Sequence, residues 1–144
     1  MASFLNDSFV SLDYGCGPGP TLSILLKEKG GVVFDYDPLF YPEEKLLELQ
    51  YDVVTSTEVV EHFKVPAQNW EELTGLVKPG GILGIMTQFL TESIDYQSWW
   101  YKNDPTHVSF YNEKTFKYLA EKYNLEKFYT DEKSVIIFRK KSLC

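Results

Sequence analysis

The stretch FVSLDYGCGPGP, residues 9–20, decides the fold of this chain. Its first five residues form a short, mostly apolar run that predicts a strand. The glycines at positions 15, 17 and 19 predict a tight loop after that strand. A helix over residues 21–29 should follow, and Gly30-Gly31 ends it. The apolar side of that helix is expected to comprise Leu22, Ile24, Leu25 and Leu26. The run VVF at residues 32–34 then completes a β-α-β unit.

The same alternation of strands and helices continues along the chain. The pattern predicts a short helix at 45–49, a strand at 51–56, a helix at 68–77, a strand at 82–87, a helix after Asn112, and strands at 125–129 and 135–138. The fold class is therefore α/β, a doubly wound Rossmann-like and mostly parallel sheet with a C-terminal antiparallel hairpin. In such sheets the loops after the parallel strands converge, so those after Leu12, Phe34, Ser56 and Thr87 should form one site.

Composition and charge limit the classes of protein. The 144 residues fit one domain, 1–144, and no apolar run approaches the ~18 residues of a membrane span. The first ten residues carry no secretory signal pattern, so the cytoplasm is the expected location. Fourteen basic and twenty-one acidic residues give a net charge of −7, which disfavours nucleic acid as a partner. Cys16 and Cys144 are too few for a disulfide scaffold.

The glycine loop and an acidic residue after the second strand suit a nucleoside-containing ligand. Glycines let the backbone approach a ligand closely, and the following helix N-terminus favours an anionic group. Asp37 ends the second strand, where a carboxylate can accept from both ribose hydroxyls. Asp35 is the alternative on the same strand face, and we prefer Asp37 because it lies nearer the loop. The spacing G-x-G-x-G followed by Pro20 disfavours a dinucleotide, while an ordinary strand-to-helix turn remains the structural alternative.

Four stretches together resemble the class I S-adenosylmethionine-dependent methyltransferases. They are LDYGCGPG at 12–19, FDYDP at 34–38, YDVVTSTEVVEH at 51–62 and LVKPGG at 76–81. The segment EVVEH is similar to the E-V-x-E-H of the small-molecule branch that includes ubiquinone-biosynthesis O-methyltransferases. The resemblance covers about residues 9–88, and DPTHVSFY at 104–111 looks like a late active-site segment of that branch.

The resemblance implies methyl transfer from S-adenosyl-L-methionine to an oxygen or nitrogen of a small-molecule acceptor. Asp13 would hold the methionine amino group and Asp37 the ribose, while Pro38 would pack on the adenine. Ser56 and Thr57 would line the methionine end. The implied cofactor-binding residues are Asp13, Gly15, Cys16, Gly17, Gly19, Asp37, Pro38, Ser56 and Thr57.

The chain departs from the family pattern in two places. Residues 38–50 are too few for the usual helix, strand and helix, so we expect one edge strand to be missing. Only about eight residues precede the first strand, where the family usually has helices that cover the cofactor. The expected alternatives are a truncated sequence or an unusually open site, which a second copy of the chain, another partner or a mobile segment would close.

The acceptor side contains the two histidines of the chain. His62 and His107 are the candidate catalytic bases, and the alternative for each is a hydrogen bond that fixes a loop. With Glu58 and Glu61 they contain ligand types that divalent metals accept, but their spacing matches no recognised metal pattern. We therefore assign no metal ligand.

Seven aromatic residues crowd into residues 89–111, among them Trp99, Trp100 and Tyr101. Some of these rings should be core, and others should form a wall for an apolar or planar acceptor. The third strand ends in Ser56-Thr57-Glu58, unlike the Asn/Asp-Pro-Pro-Tyr of enzymes that methylate nucleic-acid amino groups. The alternative function is a catalytically silent module that binds the cofactor or a partner, and a nucleotide-dependent oxidoreductase is a weaker third.

Overall fold

The computed structural model describes residues 8–142 and centres on one six-stranded sheet. Its strands are β1 (Phe9–Tyr14), β2 (Gly31–Tyr36), β3 (Tyr51–Thr57), β4 (Val77–Met86), β5 (Leu125–Thr130) and β6 (Val135–Lys140). They lie in the order β2-β1-β3-β4-β6-β5. The first four strands are parallel, whereas β6 runs antiparallel to β4 and to β5. The predicted mixed sheet with a C-terminal hairpin is confirmed.

Three α-helices connect these strands: α1 (Thr21–Glu28), α2 (Pro66–Gly75) and α3 (Glu113–Lys122). Short 3-10 helices lie at Glu44–Glu48, Val60–His62 and Trp100–Asn103. The first of these replaces the predicted helix at 45–49. The predicted end of α2 at Val77 is wrong, because Val77 begins β4 and pairs there with Tyr51. In that part of the chain, backbone pairing in the sheet outweighs the apolar pattern.

The core lies on both faces of the sheet. Leu12 and Val54 face α2 and α3, where Trp70, Leu73 and Phe116 are buried with them. The opposite face carries a smaller cluster of Phe9, Leu26, Val33, Val53, Ile82 and Ile137, to which α1 contributes Leu26. No helix among the described residues is long and apolar enough to cross a membrane.

The predicted apolar side of α1 is partly wrong. Ser23 and Leu26 are buried, but Ile24 and Leu25 are 58% and 53% exposed. A helix of eight residues touches the sheet along one narrow stripe, and these two side chains lie outside it.

The sheet ends at β2, as the missing-edge-strand prediction requires. Among the described residues, the segment between Asp37 and Tyr51 forms an isolated bridge from Asp37 to Tyr41 and the 3-10 helix, and no strand. Cys144 and the first seven residues, on which part of the disulfide and signal predictions depend, lie outside the described residues.

Candidate functional site

The loops that follow the parallel strands meet at the carboxyl edge of the sheet. The amide of Gly17, after β1, donates to Asp37 Oδ2, after β2, at 3.1 Å. On the other side, the Tyr101 hydroxyl lies 2.7 Å from Glu58 Oε2, after β3, and 3.2 Å from Thr87 Oγ1, after β4. Parallel strands direct their carboxyl ends to one edge, so residues distant in sequence meet there.

The glycine loop contacts protein on one side and open space on the other. Gly15 has a φ of 78°, and a Cβ there would lie 2.4 Å from Val59 Cγ2, so glycine is required. Gly17 also has a positive φ, of 69°, but a Cβ at Gly17 or at Gly19 would meet nothing within 4 Å. The space in front of these two glycines is where a ligand can approach the backbone.

Asp37 is the carboxylate that faces the glycine loop. Its Oδ2 accepts from Gly17, while its Oδ1 accepts from the amide of Leu39 at 2.8 Å and from that of the next residue at 3.2 Å. A carboxylate has about four acceptor positions, so one remains on Oδ2 for a ligand hydroxyl. Asp35 lies elsewhere, because its Oδ1 accepts from the Ser23 hydroxyl of α1.

The remaining predicted cofactor residues differ in burial and in charge. Asp13 is only 4% exposed, its Oδ1 accepts from Thr55 Oγ1 at 2.8 Å, and burial raises its pKa to about 6. Burial also raises the pKa of Cys16 to about 12, so its thiol stays protonated and unreactive. Ser56 is fully buried, and its hydroxyl has no partner among residues 8–142, whereas Thr57 is half-buried.

Tyr101 links two glutamates at the predicted acceptor side. Its hydroxyl lies 2.5 Å from Glu61 Oε1 and 2.7 Å from Glu58 Oε2. Glu61 is fully buried, and its Oε2 has no hydrogen-bond partner in the described part of the chain. Burial, together with the hydrogen bond and negative charge of Glu61, raises the pKa of Glu58 to about 7. Glu58 therefore keeps its proton to a higher pH than an exposed glutamate does.

His62 and His107 each donate from Nδ1 to a backbone carbonyl. The Nδ1 of His62 is 3.1 Å from the carbonyl oxygen of Thr106, and that of His107 is 2.6 Å from the carbonyl oxygen of Tyr101. A carbonyl only accepts, so Nδ1 carries the proton and Nε2 is the lone-pair nitrogen of each neutral ring. Their ring centres are 4.8 Å apart.

The two histidines and Glu61 form the one group of three candidate metal ligands found among the described residues. One ligand atom from each of the three lies within 4.8 Å of the others. Histidines that bind metals usually donate their second ring nitrogen to a carbonyl or carboxylate, as both do here. Asp104 Oδ2 lies 3.6 Å from His107 Nε2. The cluster can thus accept a proton or hold a cation.

The aromatic residues divide between core and surface. Trp99 is 7% exposed and its ring centre lies 5.3 Å from that of Phe110, while Tyr101 is buried beside it. Trp100 is 67% exposed and packs edge-on against Tyr101. Trp100 is therefore the exposed indole of this segment.

Sequence reasoning missed the role of Tyr101, which it counted only among the crowded rings. No local signal distinguishes a hydroxyl that links two carboxylates from one at the surface. A cavity of about 790 Å³ between α3 and the β5–β6 hairpin was also not predicted. Its walls include Phe89, Phe116 and Ile136 and none of the predicted site residues.

A family of proteins described as "Methyltransferase domain" matches residues 3–129 of the chain. No curated relative matches it by sequence. Similar solved structures include an O-methyltransferase family protein from Burkholderia thailandensis (14% identity, TM-score 0.66), of which the chain spans about half: the match covers 92% of this chain and 51% of that one. A SAM-dependent methyltransferase from Archaeoglobus fulgidus has 20% identity and a TM-score of 0.67, and the match covers 92% of this chain and 86% of that one. A Haloferax volcanii protein was solved in complex with the Trm112 methyltransferase activator. It has 14% identity and a TM-score of 0.70, and the match covers 97% of this chain and 85% of that one.

Proposed function

The chain belongs to the methyltransferase domain family and has the class I fold, and from this premise we propose that it transfers a methyl group from S-adenosylmethionine to an oxygen or nitrogen of a small-molecule acceptor. The observation that carries the proposal is the open space before Gly17 and Gly19, bordered by Asp37. When bound, S-adenosylmethionine would supply a methyl group on a sulfonium, which is already activated for in-line transfer.

The residues at the glycine loop fit this cofactor. Asp13 is a buried carboxylate whose one described hydrogen bond comes from Thr55, so a ligand ammonium group would stabilise its ionised form. Asp37 has one acceptor position left for a ribose hydroxyl. Pro38 is exposed next to it, where a flat base can pack. We propose that two further groups complete the cofactor site. They are the backbone of the glycine loop and the side chains after β3: Gly15, Cys16, Gly17 and Gly19, with Ser56 and Thr57.

On the acceptor side, we assign proton removal to the histidines. The Nε2 of His107 or of His62 accepts the proton that the acceptor loses as its oxygen or nitrogen attacks the methyl carbon. The exposed Trp100, which packs against Tyr101, would position an apolar or planar molecule. Because transfer in line depends mainly on alignment, this fixed arrangement contributes by orienting the acceptor.

A divalent cation is the second candidate for the same cluster, favoured by one observation. Glu61 has a buried Oε2 without a partner among the described residues, and one ligand atom from each of Glu61, His62 and His107 lies within 4.8 Å of the others. Mixed carboxylate and imidazole ligands suit Mg²⁺, Mn²⁺ or Zn²⁺. A cation there would orient an acceptor hydroxyl and favour its ionised form.

The test is transfer of labelled methyl from S-adenosylmethionine to a panel of alcohols, phenols and amines, with wild type and His107→Ala. We expect wild-type turnover, and a fall of about 100-fold or more in the variant at unchanged affinity for S-adenosylhomocysteine. Chelator treatment separates the two candidates, since only a cation site loses turnover that Mg²⁺ or Mn²⁺ then restores.

Two results would contradict the proposal. Tight cofactor binding without transfer to any acceptor supports the silent binding module instead. Absence of S-adenosylhomocysteine binding would contradict both the methyltransferase and the silent cofactor-binding module. Because the Haloferax volcanii relative was solved with an activator protein, the assay should include a cell extract as a source of partners.

A further inference from the structure

The outer edge of β2 lacks most of the features that usually protect an edge strand. Within residues 8–142 no strand pairs with this side of β2. Its sequence, GVVFDY, contains no lysine and no proline, and its register with β1 continues over all six residues without a bulge. Natural proteins usually protect such edges with charges, prolines or bulges, or cover them. An edge strand with so few protective features is one that another segment or another chain usually covers.

Apolar side chains concentrate around the same edge. Of sixteen large apolar side chains that are exposed, seven lie on α1, on β2 and on the loop after it: Ile24, Leu25, Val32, Phe34, Leu39, Phe40 and Tyr41. Their exposed area is on the order of 700 Å², close to the roughly 800 Å² that each partner buries in a standard protein interface. We call these seven residues and the outer edge of β2 the β2 surface.

We propose that a second copy of the chain covers the β2 surface, with β2 pairing antiparallel to β2 of the other copy about a twofold axis. A twofold interface brings identical surfaces together, so the two strands match in length and in hydrogen-bonding groups. Val32 and Phe34 occupy the same strand face as Leu12, by their register with β1. They would meet their counterparts on that face, and the α1 helices would meet on the other.

Charge does not oppose this pairing, although each copy carries −7. The one charged residue of β2 is Asp35, which accepts from Ser23 of α1 and so is directed at its own helix. Like charges directly opposite each other in a strand pair are destabilising, and here none is placed at the edge. The surface also adjoins the cofactor side, because the Leu39 amide donates to Asp37.

The test is sedimentation equilibrium of the full chain with two matched variants. Val32→Lys places a charge on the β2 surface at a side chain that is 57% exposed. Tyr118→Lys makes the same change on α3, at a side chain that is 59% exposed. We expect the wild type to be a dimer. Val32→Lys should raise the dimer dissociation constant by about 100-fold or more, and Tyr118→Lys should leave it unchanged. Thermal unfolding of both variants checks that each is folded.

Three results would overturn the proposal: a monomeric wild type, a dimer that Val32→Lys leaves intact, or open-ended larger species. Hydrogen exchange adds a second readout of the β2 amides. Protection that grows with protein concentration supports pairing between copies. Protection in a monomer instead identifies another segment of the same chain as the cover. None of these outcomes depends on methyl transfer, so failure here is distinguishable from failure of the proposed function.

Discussion

Two aspartates lie two positions apart in the chain and contact different elements. Asp37 accepts from amides of the glycine loop and of its own loop, whereas Asp35 accepts from Ser23 of α1. Asp37→Ala should therefore weaken binding of S-adenosylhomocysteine by about 1.5–3 kcal/mol, the range for hydrogen bonds to a charged group. Isothermal titration calorimetry measures the change.

Asp35→Ala is the matched control. Since its carboxylate faces α1, we expect nearly unchanged affinity and a loss of free energy of unfolding instead. Equal losses of affinity in the two variants would contradict the assignment of the ribose to Asp37. Sequence alternation alone could not separate the two residues, because it describes a strand face and not the helix that covers it.

Asp13 makes stability depend on pH. Burial raises its pKa from 3.8 to about 6, so the unfolded chain ionises first as the pH rises. The free energy of unfolding therefore falls by about 2–3 kcal/mol as the pH rises from about 4 to 6, and it stays at the lower value above pH 6. Asp13→Asn removes this loss while keeping an acceptor for Thr55. The variant should unfold at higher denaturant concentration at pH 7, with the advantage vanishing below about pH 4.

The same variant separates stability from function. An amide oxygen can accept from a ligand ammonium group but carries no negative charge to attract it, so Asp13→Asn should bind S-adenosylhomocysteine more weakly even though it is more stable. Wild-type binding near pH 6 should release a proton, which the buffer dependence of the calorimetric heat detects. A variant that bound the ligand normally would argue against contact between Asp13 and an amino group.

Among the elements, α3 is the helix whose start the sequence predicts best. Asn112 accepts from the Thr115 amide at 2.9 Å, as expected of an N-cap, and Phe116 and Leu119 are buried. Asn112→Ala should lower the free energy of unfolding by about 1 kcal/mol, because a helix amide loses its acceptor. Asn112→Asp keeps the acceptor and should retain stability. Chemical denaturation compares the three proteins, and equal losses in both variants would count against a capping role.

Prediction of the elements succeeds where the signal is local and fails where tertiary contacts decide. The strands and the glycine loop follow from short apolar runs and turn residues. Ile24 and Leu25 were expected on the buried side of α1, but which side a short helix buries depends on neighbours that the sequence of the helix does not specify. The site shows the same division. Asp37 and the glycines follow from motif and strand order, while the contact of Tyr101 with Glu58 and Glu61 spans some forty residues.

At the scale of the whole molecule, ligand binding should stabilise the fold. A ligand at about 100 times its Kd adds about 2.7 kcal/mol to the free energy of unfolding, which for a chain of this size raises the Tm by about 5–10 °C. S-adenosylhomocysteine should produce this shift in wild type and a smaller one in Asp37→Ala. Differential scanning calorimetry measures it. Stabilisation by a nicotinamide dinucleotide and not by S-adenosylhomocysteine would favour the oxidoreductase.

The three indoles of the chain sit in sharply different surroundings. Trp70 is buried in the core and donates to the Tyr111 hydroxyl, Trp99 is packed among rings, and Trp100 is 67% exposed. Iodide quenches the fluorescence of the indoles that solvent reaches, so it should remove the emission of Trp100 and spare the other two. The chain thus carries an intrinsic optical reporter next to the proposed acceptor site, and protection of that emission from iodide would reveal acceptor binding without any label.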